Sequence, residues 1–150
     1  MAALGICVVP GAGAPKLDGV VVAGTFECPT LITHFTVRTN TSEASEQAIE
    51  LARLLLAKLP ALDFTSAAVR VAGPSPVGNR RKAAFSRAHA EGAAMFVLRE
   101  HLGASIVIGD PKSLAKCLAI PVKELEDKAT ALLRGKCDAA LAALSQLTKA

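Results

Sequence analysis

Arg70 is the residue of this sequence whose position most calls for a chemical explanation. It stands inside residues 67–72 (AAVRVA), an apolar run that is typical of a buried strand. A charge on a buried strand costs folding free energy unless it is paired or reaches the mouth of a site. We therefore predict that Arg70 either has an acidic partner or opens onto a site.

Six basic residues are the candidate contacts for an anionic ligand. They form one cluster after a Gly/Pro-rich loop and one pair on a short predicted helix: Arg80, Arg81 and Lys82 with Arg87, and Lys112 with Lys116. Recognition of a phosphate backbone requires positive charge above all, so these residues are predicted to bind nucleic acid. A solvated basic face that only aids solubility explains the same pattern.

Acidic residues are poorly arranged for a metal site. Glu46 and Glu50 share a face of the first predicted helix, but a solvated acidic face commonly has this spacing. Asp110 precedes a proline and is better suited to capping a helix. Glu91 is expected to pair with Arg87 one helical turn earlier. These interpretations leave no obvious set of oxygen ligands for a divalent cation.

The four cysteines do not form a recognisable site. Cys7, Cys28, Cys117 and Cys137 include no C-x-x-C pair, and the three histidines do not supply closely spaced zinc ligands. Each cysteine lies in or beside an apolar run, so we expect buried free thiols in a reducing compartment. Cys7 has no histidine near it in the pattern and is not expected to be a nucleophile.

The elements that position these residues change in type along the chain. Strands are predicted at residues 4–9, 20–28, 31–39, 66–72 and 105–109, with a turn at Asp18-Gly19 between the first two. Helices are predicted from the cap candidates Asn40, Thr41 and Ser42 to Pro60, and at residues 80–102, 111–118, 121–134 and 136–148. The order β-β-β-α-β-α-β-α, followed by two more helices, predicts an α/β fold with a mixed five-stranded sheet and helices on both faces.

Length and composition restrict the classes of protein further. Residues 1–150 have the length of a single domain with a sizeable core. The net charge of +4 permits an acidic partner, while the 3% aromatic content argues against a single-strand stacking platform. No apolar window is long enough for a membrane span, and the start lacks the charged region of a signal peptide. We expect a cytoplasmic protein with no membrane partner.

The motifs, in their order, resemble the RuvC-type Holliday-junction resolvases of the ribonuclease H-like superfamily. The matching segments span nearly the whole chain: Val8-Val9-Pro10-Gly11 at the family's apolar-Asp-Pro-Gly motif, Arg70 at a fourth-strand glutamate, residues 87–94 (RAHAEGAA) at a glutamine-alanine-arginine-glycine-like stretch, residues 110–116 (DPKSLAK) at a lysine-bearing turn, and residues 138–143 (DAALAA) at an Asp-Ala-Leu-Ala-like segment. No single match is specific, and the resemblance rests on their order and spacing.

The resemblance implies a nuclease fold with most of its metal ligands replaced. In that family several carboxylates hold two divalent cations for phosphodiester hydrolysis. Val9 stands at the first acid's place, Arg70 at the second, and the earlier acid of the last helix falls near Gly135, so that only Asp138 is retained. An arginine here repels cations. We expect no catalytic residue and no metal cofactor, and an Arg70–Asp138 ion pair instead; an Arg70 that simply reaches solvent is the alternative.

The function implied is binding of duplex or branched nucleic acid, DNA or RNA, without cleavage. One alternative is an active endonuclease that holds Mg or Mn through Asp110, Asp138 and a first-helix glutamate. Another is a protein-binding regulator or inhibitor. The Ala-rich segment from Ala88 to Leu98 is a candidate homodimer interface, although burial against the chain's own sheet explains the same composition.

Overall fold

The computed structural model describes residues 1–10, 14–72 and 82–150, without the side chains of residues 82 and 83. Within these ranges the strands are β1 (Ala2–Val9), β2 (Lys16–Gly24), β3 (Pro29–Arg38), β4 (Ser66–Arg70) and β5 (Val107–Gly109). The α-helices there are α1 (Ala44–Lys58), α2 (Lys82–Leu102), α3 (Pro111–Cys117), α4 (Val122–Leu132) and α5 (Cys137–Leu144). Short 3-10 helices follow α1 at Leu59–Ala61 and α4 at Arg134–Lys136.

The strands form one mixed sheet in the order β3-β2-β1-β4-β5, which confirms the predicted five-stranded sheet. β2 is antiparallel to both β1 and β3, whereas β4 is parallel to β1 and to β5. Strands β1, β3, β4 and β5 therefore all end at one edge of the sheet, where β2 begins. We call this the C-terminal edge, because the loops and helices that follow four of the strands start there.

Helices cover both faces of the sheet, as predicted. Helices α1 and α2 bury Leu51, Leu55 and Leu98 against one face. Helices α3, α4 and α5 bury Leu114, Leu125 and Leu144 against the other. None of the helices in the described ranges is long and apolar enough to cross a membrane.

Helix α5 lies unusually close to β1, and Gly5 makes this approach possible. A Cβ at Gly5 would overlap the backbone of Ala139 and Ala143. The buried residues of α5 are mostly alanines, which have no long side chains to hold the helix away from the sheet. This packing fixes the start of α5, and hence Asp138, above the central strands.

The predicted turn at Asp18-Gly19 is wrong, because both residues lie inside β2. Asp18 pairs with Cys7 and Gly19 with Ile6 across β1. The ring of Phe35 fills the space that a Cβ on Gly19 would take. Packing across the strands thus overrides the turn preference of the two residue types.

The two helix starts that bear on the candidate site are capped by carboxylates. Glu43, not one of the predicted residues 40–42, caps α1 by accepting hydrogen bonds from the backbone N–H of Ser45 and Glu46. The Ser45 hydroxyl also donates to Glu43, and these bonds hold the pKa of the Glu43 carboxyl below its usual value. Asp110 caps α3 as predicted, with Oδ1 2.8 Å from the Ser113 nitrogen.

Candidate functional site

A row of polar side chains crosses four adjacent strands of the sheet near its C-terminal edge. The strand register aligns Thr36 of β3, Asp18 of β2, Cys7 of β1 and Arg70 of β4. Residues aligned in this way point to the same face of a sheet. Cys7 packs in the core beneath α5, so the row, which we call the polar row, faces that helix. The fold thus places Cys7 and Arg70 of this row under α5, whose first turn carries Asp138.

Arg70 forms an ion pair with Asp138 of α5, which confirms the predicted contact. The Arg70 Nε lies 3.5 Å from the Asp138 Oδ1, and the Arg70 side chain is only 20% exposed. The Nε is buried and has no hydrogen-bond partner within the described residues, so the contact with Asp138 is electrostatic. Asp138 also lies in the first turn of α5, where the helix dipole favours a negative charge.

Cys7 is the residue of β1 that lies beside Arg70. Burial raises the pKa of the Cys7 thiol to about 12, and the negative charge of Asp138 adds to this rise while Arg70 opposes it. The thiol is therefore protonated at neutral pH, which agrees with the expectation that it is not a nucleophile.

Val9, predicted at the first acid's place, lies two residues beyond Cys7 and pairs with Lys16 of β2. Alternate residues of a strand share a face. The sequence pattern alone therefore cannot show which of the two residues, Cys7 or Val9, lies beside Arg70. The register of β1 with β4 shows that it is Cys7.

Asp18 extends the polar row towards β3. It is buried, and its Oδ1 accepts a hydrogen bond from the Thr36 hydroxyl at 2.7 Å. The sequence does not identify Asp18 as part of this site, because the pair Asp18-Gly19 is typical of a turn.

Arg87 and Glu91 form a second ion pair, on α2. The Arg87 Nε lies 3.0 Å from the Glu91 Oε1, and both side chains are largely buried. Burial raises the pKa of the Glu91 carboxyl, while the charges of Arg87 and Arg70 oppose this rise. The predicted pairing is confirmed. Because Arg87 is held by Glu91, a phosphate contact by Arg87 stays a prediction.

The predicted basic residues of α3 lie exposed beside the C-terminal edge. Lys112 and Lys116 project from the helix that begins directly after β5. Hydrogen bonds from Ser113 lower the pKa of Asp110, and the two lysines add to this effect. Arg80 and Arg81 lie outside the described residues, as does the side chain of Lys82, so these three contacts stay predictions.

The central donor set does not fit a pair of divalent cations. It consists of the carboxylate of Asp138 with the guanidinium of Arg70 at ion-pair distance, the protonated thiol of Cys7 in the next strand, and the carboxylate of Asp18, which is bonded to Thr36. In the part of the chain that the structure describes, no three His, Cys, Asp or Glu residues are grouped closely enough to hold a metal ion.

Acids considered for the endonuclease alternative have structural roles. Asp110 caps α3, and Glu50 of the first helix accepts a hydrogen bond from the Thr39 hydroxyl at 2.6 Å.

The cysteines are free thiols, but two of them are not buried as expected. Cys28 and Cys117 are exposed and Cys137 is half-buried, whereas Cys7 is buried. Cys28 lies in the connection between β2 and β3, and Cys117 is on the outer side of α3, so the apolar runs beside them do not carry these two residues into the core.

Comparison with known proteins identifies the fold. No family model matches the chain, and no curated protein does. Two solved structures of Thermus thermophilus RuvC are similar to it at 21% identity, each over 97% of this chain and 92% of the other. The TM-score is 0.66 for the structure of RuvC and 0.70 for RuvC in complex with a Holliday junction substrate. The chain therefore has a ribonuclease H-like fold of the RuvC type.

Proposed function

We propose that this protein binds duplex or branched nucleic acid and does not cleave it by metal-dependent hydrolysis. The observation that carries the proposal is the Arg70–Asp138 ion pair at the centre of a RuvC-type sheet. Two-metal hydrolysis requires oxygen ligands that converge on the cations. A guanidinium at ion-pair distance from the central carboxylate instead supplies positive charge from the protein itself.

The charges at the C-terminal edge support phosphate binding there. Arg70 ends β4, and α3 with Lys112 and Lys116 starts directly after the neighbouring strand β5. Adjacent strands lie about 4.8 Å apart, so the end of β4 and the start of α3 lie at one part of this edge, and the exposed Lys112 and Lys116 there are available to a phosphate backbone. RuvC of Thermus thermophilus, which shares the fold, has been solved with a Holliday junction.

We also propose that the protein acts as a homodimer through α2. Ala90, Ala94 and Leu98 on this helix are buried against its own sheet. Phe85 and Phe96 are nevertheless 55% and 67% exposed. We call Phe85, Gly92 and Phe96 the α2 stripe. A second copy that packs on this stripe would bury both rings in a two-fold interface, which suits a symmetric branched ligand.

Binding to a labelled four-way junction, measured by anisotropy in EDTA and in Mg²⁺ across a salt series, tests the function. We expect binding without a divalent cation and affinity that falls steeply with salt. In the Lys112→Ala/Lys116→Ala variant the salt slope should fall by roughly two, since each lost phosphate contact contributes about one. The variant Arg80→Ala/Arg81→Ala/Lys82→Ala tests the second predicted cluster in the same way.

The variant Arg53→Ala/Lys149→Ala is the matched control, because Arg53 is exposed on α1 and Lys149 lies near the opposite edge of the sheet. Cleavage products that require Mg²⁺ or Mn²⁺ and disappear in Asp138→Asn would establish the endonuclease alternative instead. Absence of binding even at low salt would refute the proposal and favour the protein-binding regulator.

A further inference from the structure

A second cationic site lies at the C-terminal edge, on the side of the sheet away from β5. It is a cavity of about 470 Å³ at the start of β2 and the end of β3, and we call it the β2–β3 cavity. Its lining includes Lys16, Arg38 and, from the segment that follows β3, Thr39, Asn40 and Ser42. This volume falls in the range of small-ligand sites.

Lys16 and Arg38 place two positive charges side by side in this cavity. They are directly paired in the register of β2 and β3, which puts their Cβ atoms about 5 Å apart. Like charges in this position are destabilising. Neither residue forms an ion pair within residues 1–10, 14–72 and 82–150. An anion bound between them would remove this repulsion.

The carboxylates near the cavity form no ion pair with Lys16 or Arg38 within the described residues, and the hydrogen bonds that they accept come from other groups. The Glu50 Oε2 accepts the Thr39 hydroxyl at 2.6 Å. Glu43 is bonded to the first turn of α1. Asp18 lies two residues after Lys16, on the same face of β2, and accepts a hydrogen bond from Thr36.

The rest of the lining adds hydrogen-bond donors. Asn40 and Ser42 are exposed at the cavity, and their side chains make no hydrogen bond to the described part of the chain. Amide and hydroxyl groups beside two cations form the usual environment of a bound oxyanion, and the planar guanidinium of Arg38 suits two oxygens of one phosphate.

We propose that the β2–β3 cavity binds a phosphate group between Lys16 and Arg38. On the proposed function, this is a backbone phosphate of the nucleic acid that crosses the C-terminal edge near Arg70 and α3. β3 and β4 are three strand positions apart in the sheet, or about 14 Å at the usual spacing. One backbone that crosses the C-terminal edge therefore reaches both places. Free phosphate is the other source of the same chemistry.

The first arm of the test measures affinity for the four-way junction. The variant Lys16→Ala/Arg38→Ala should bind at least about tenfold more weakly at moderate salt, with a salt slope lower by roughly two. Lys16→Arg/Arg38→Lys keeps both charges and should retain most of the affinity. The control Arg53→Ala/Lys149→Ala also removes two charges and should change affinity far less. Circular dichroism melting identifies any variant that does not fold.

The second arm titrates inorganic phosphate into the wild-type protein while its amide NMR signals are recorded. Shifts confined to residues around Lys16 and Arg38, and lost in Lys16→Ala/Arg38→Ala, support the site without reference to nucleic acid. If the junction arm alone responds, the ligand is a backbone phosphate; if the phosphate arm alone responds, it is free phosphate.

Failure in both arms overturns the cavity as a phosphate site, even when the protein binds DNA through other residues. If the wild-type protein does not bind DNA, the proposed function fails and the phosphate arm alone decides the cavity. The two proposals therefore fail independently.

Discussion

At the centre of the sheet, Arg70 carries a charge and the neighbouring Cys7 does not. The guanidinium adds a permanent positive charge beside Asp138, while burial keeps the neighbouring thiol neutral. The apolar residues on either side of Arg70 in the sequence predict that it needs an acidic partner. They do not predict that Cys7 lies beside it in the sheet, since only strand register distinguishes residues that share a face.

The raised pKa of Cys7 makes stability depend on alkaline pH. The native thiol holds its proton up to a pKa of about 12, whereas the unfolded thiol releases it near the ordinary value of 9.0. Between these values the native state binds more protons than the unfolded state, so the free energy of unfolding falls as pH rises. Relative to Cys7→Ala, the wild-type protein should lose about 1 kcal/mol between pH 8 and pH 10.

Urea unfolding of both proteins at the two pH values measures this difference. The variant keeps the other three cysteines and every lysine, so their titration cancels in the comparison. A difference between the two proteins that stays constant with pH would show that Cys7 titrates normally in the native state.

At the scale of elements, helix α2 is apolar on more than one side, and this makes the dimer proposal testable. Phe96 is the most exposed large apolar side chain of the described residues. Phe96→Glu should convert a dimer to a monomer in sedimentation equilibrium, because a charge at the centre of an apolar interface is left without solvent or a partner. The melting temperature at low concentration should change little, since Phe96 does not contribute to the core.

The matched control is Ile32→Glu, which places the same charge at an exposed apolar position on β3. It should leave the oligomeric state unchanged. A wild-type protein that is monomeric at high micromolar concentration, or a dimer unaffected by Phe96→Glu, would contradict the α2 interface.

The order of the elements can be predicted from the sequence, but contacts between distant strands cannot. The alternation of apolar residues gave the order of strands and helices correctly, because the faces that pack on the core repeat with the period of each element. Asp18 and Gly19 were misplaced because their roles depend on Thr36 and Phe35, which lie far away in the chain. The cavity at Lys16 and Arg38 was missed for the same reason, since the two cations meet only through the pairing of β2 with β3.

At the scale of the whole molecule, the fold brings together residues on which a metal centre could be built. Cys7, Arg70 and Asp138 come from β1, β4 and α5, and the register and the ion pair hold them together. If charge at these positions is what excludes divalent cations, then changing the charge should be sufficient to admit them, because carboxylate oxygens are the ligands that Mg²⁺ and Mn²⁺ prefer.

The variant Cys7→Asp/Arg70→Glu should therefore gain stabilisation by Mn²⁺. Three clustered carboxylates repel one another without a metal, so the melting temperature should be low in EDTA. It should rise with Mn²⁺, by an amount that corresponds to about 2.7 kcal/mol when the ion is at a hundred times its Kd. The neutral variant Cys7→Asn/Arg70→Gln controls for changes in packing and should respond to Mn²⁺ no more than the wild-type protein. If the wild-type protein is stabilised by Mn²⁺ as strongly as the acidic variant, the cation-excluding role of Arg70 is wrong, and the proposal of a nucleic-acid binder without metal chemistry loses its basis.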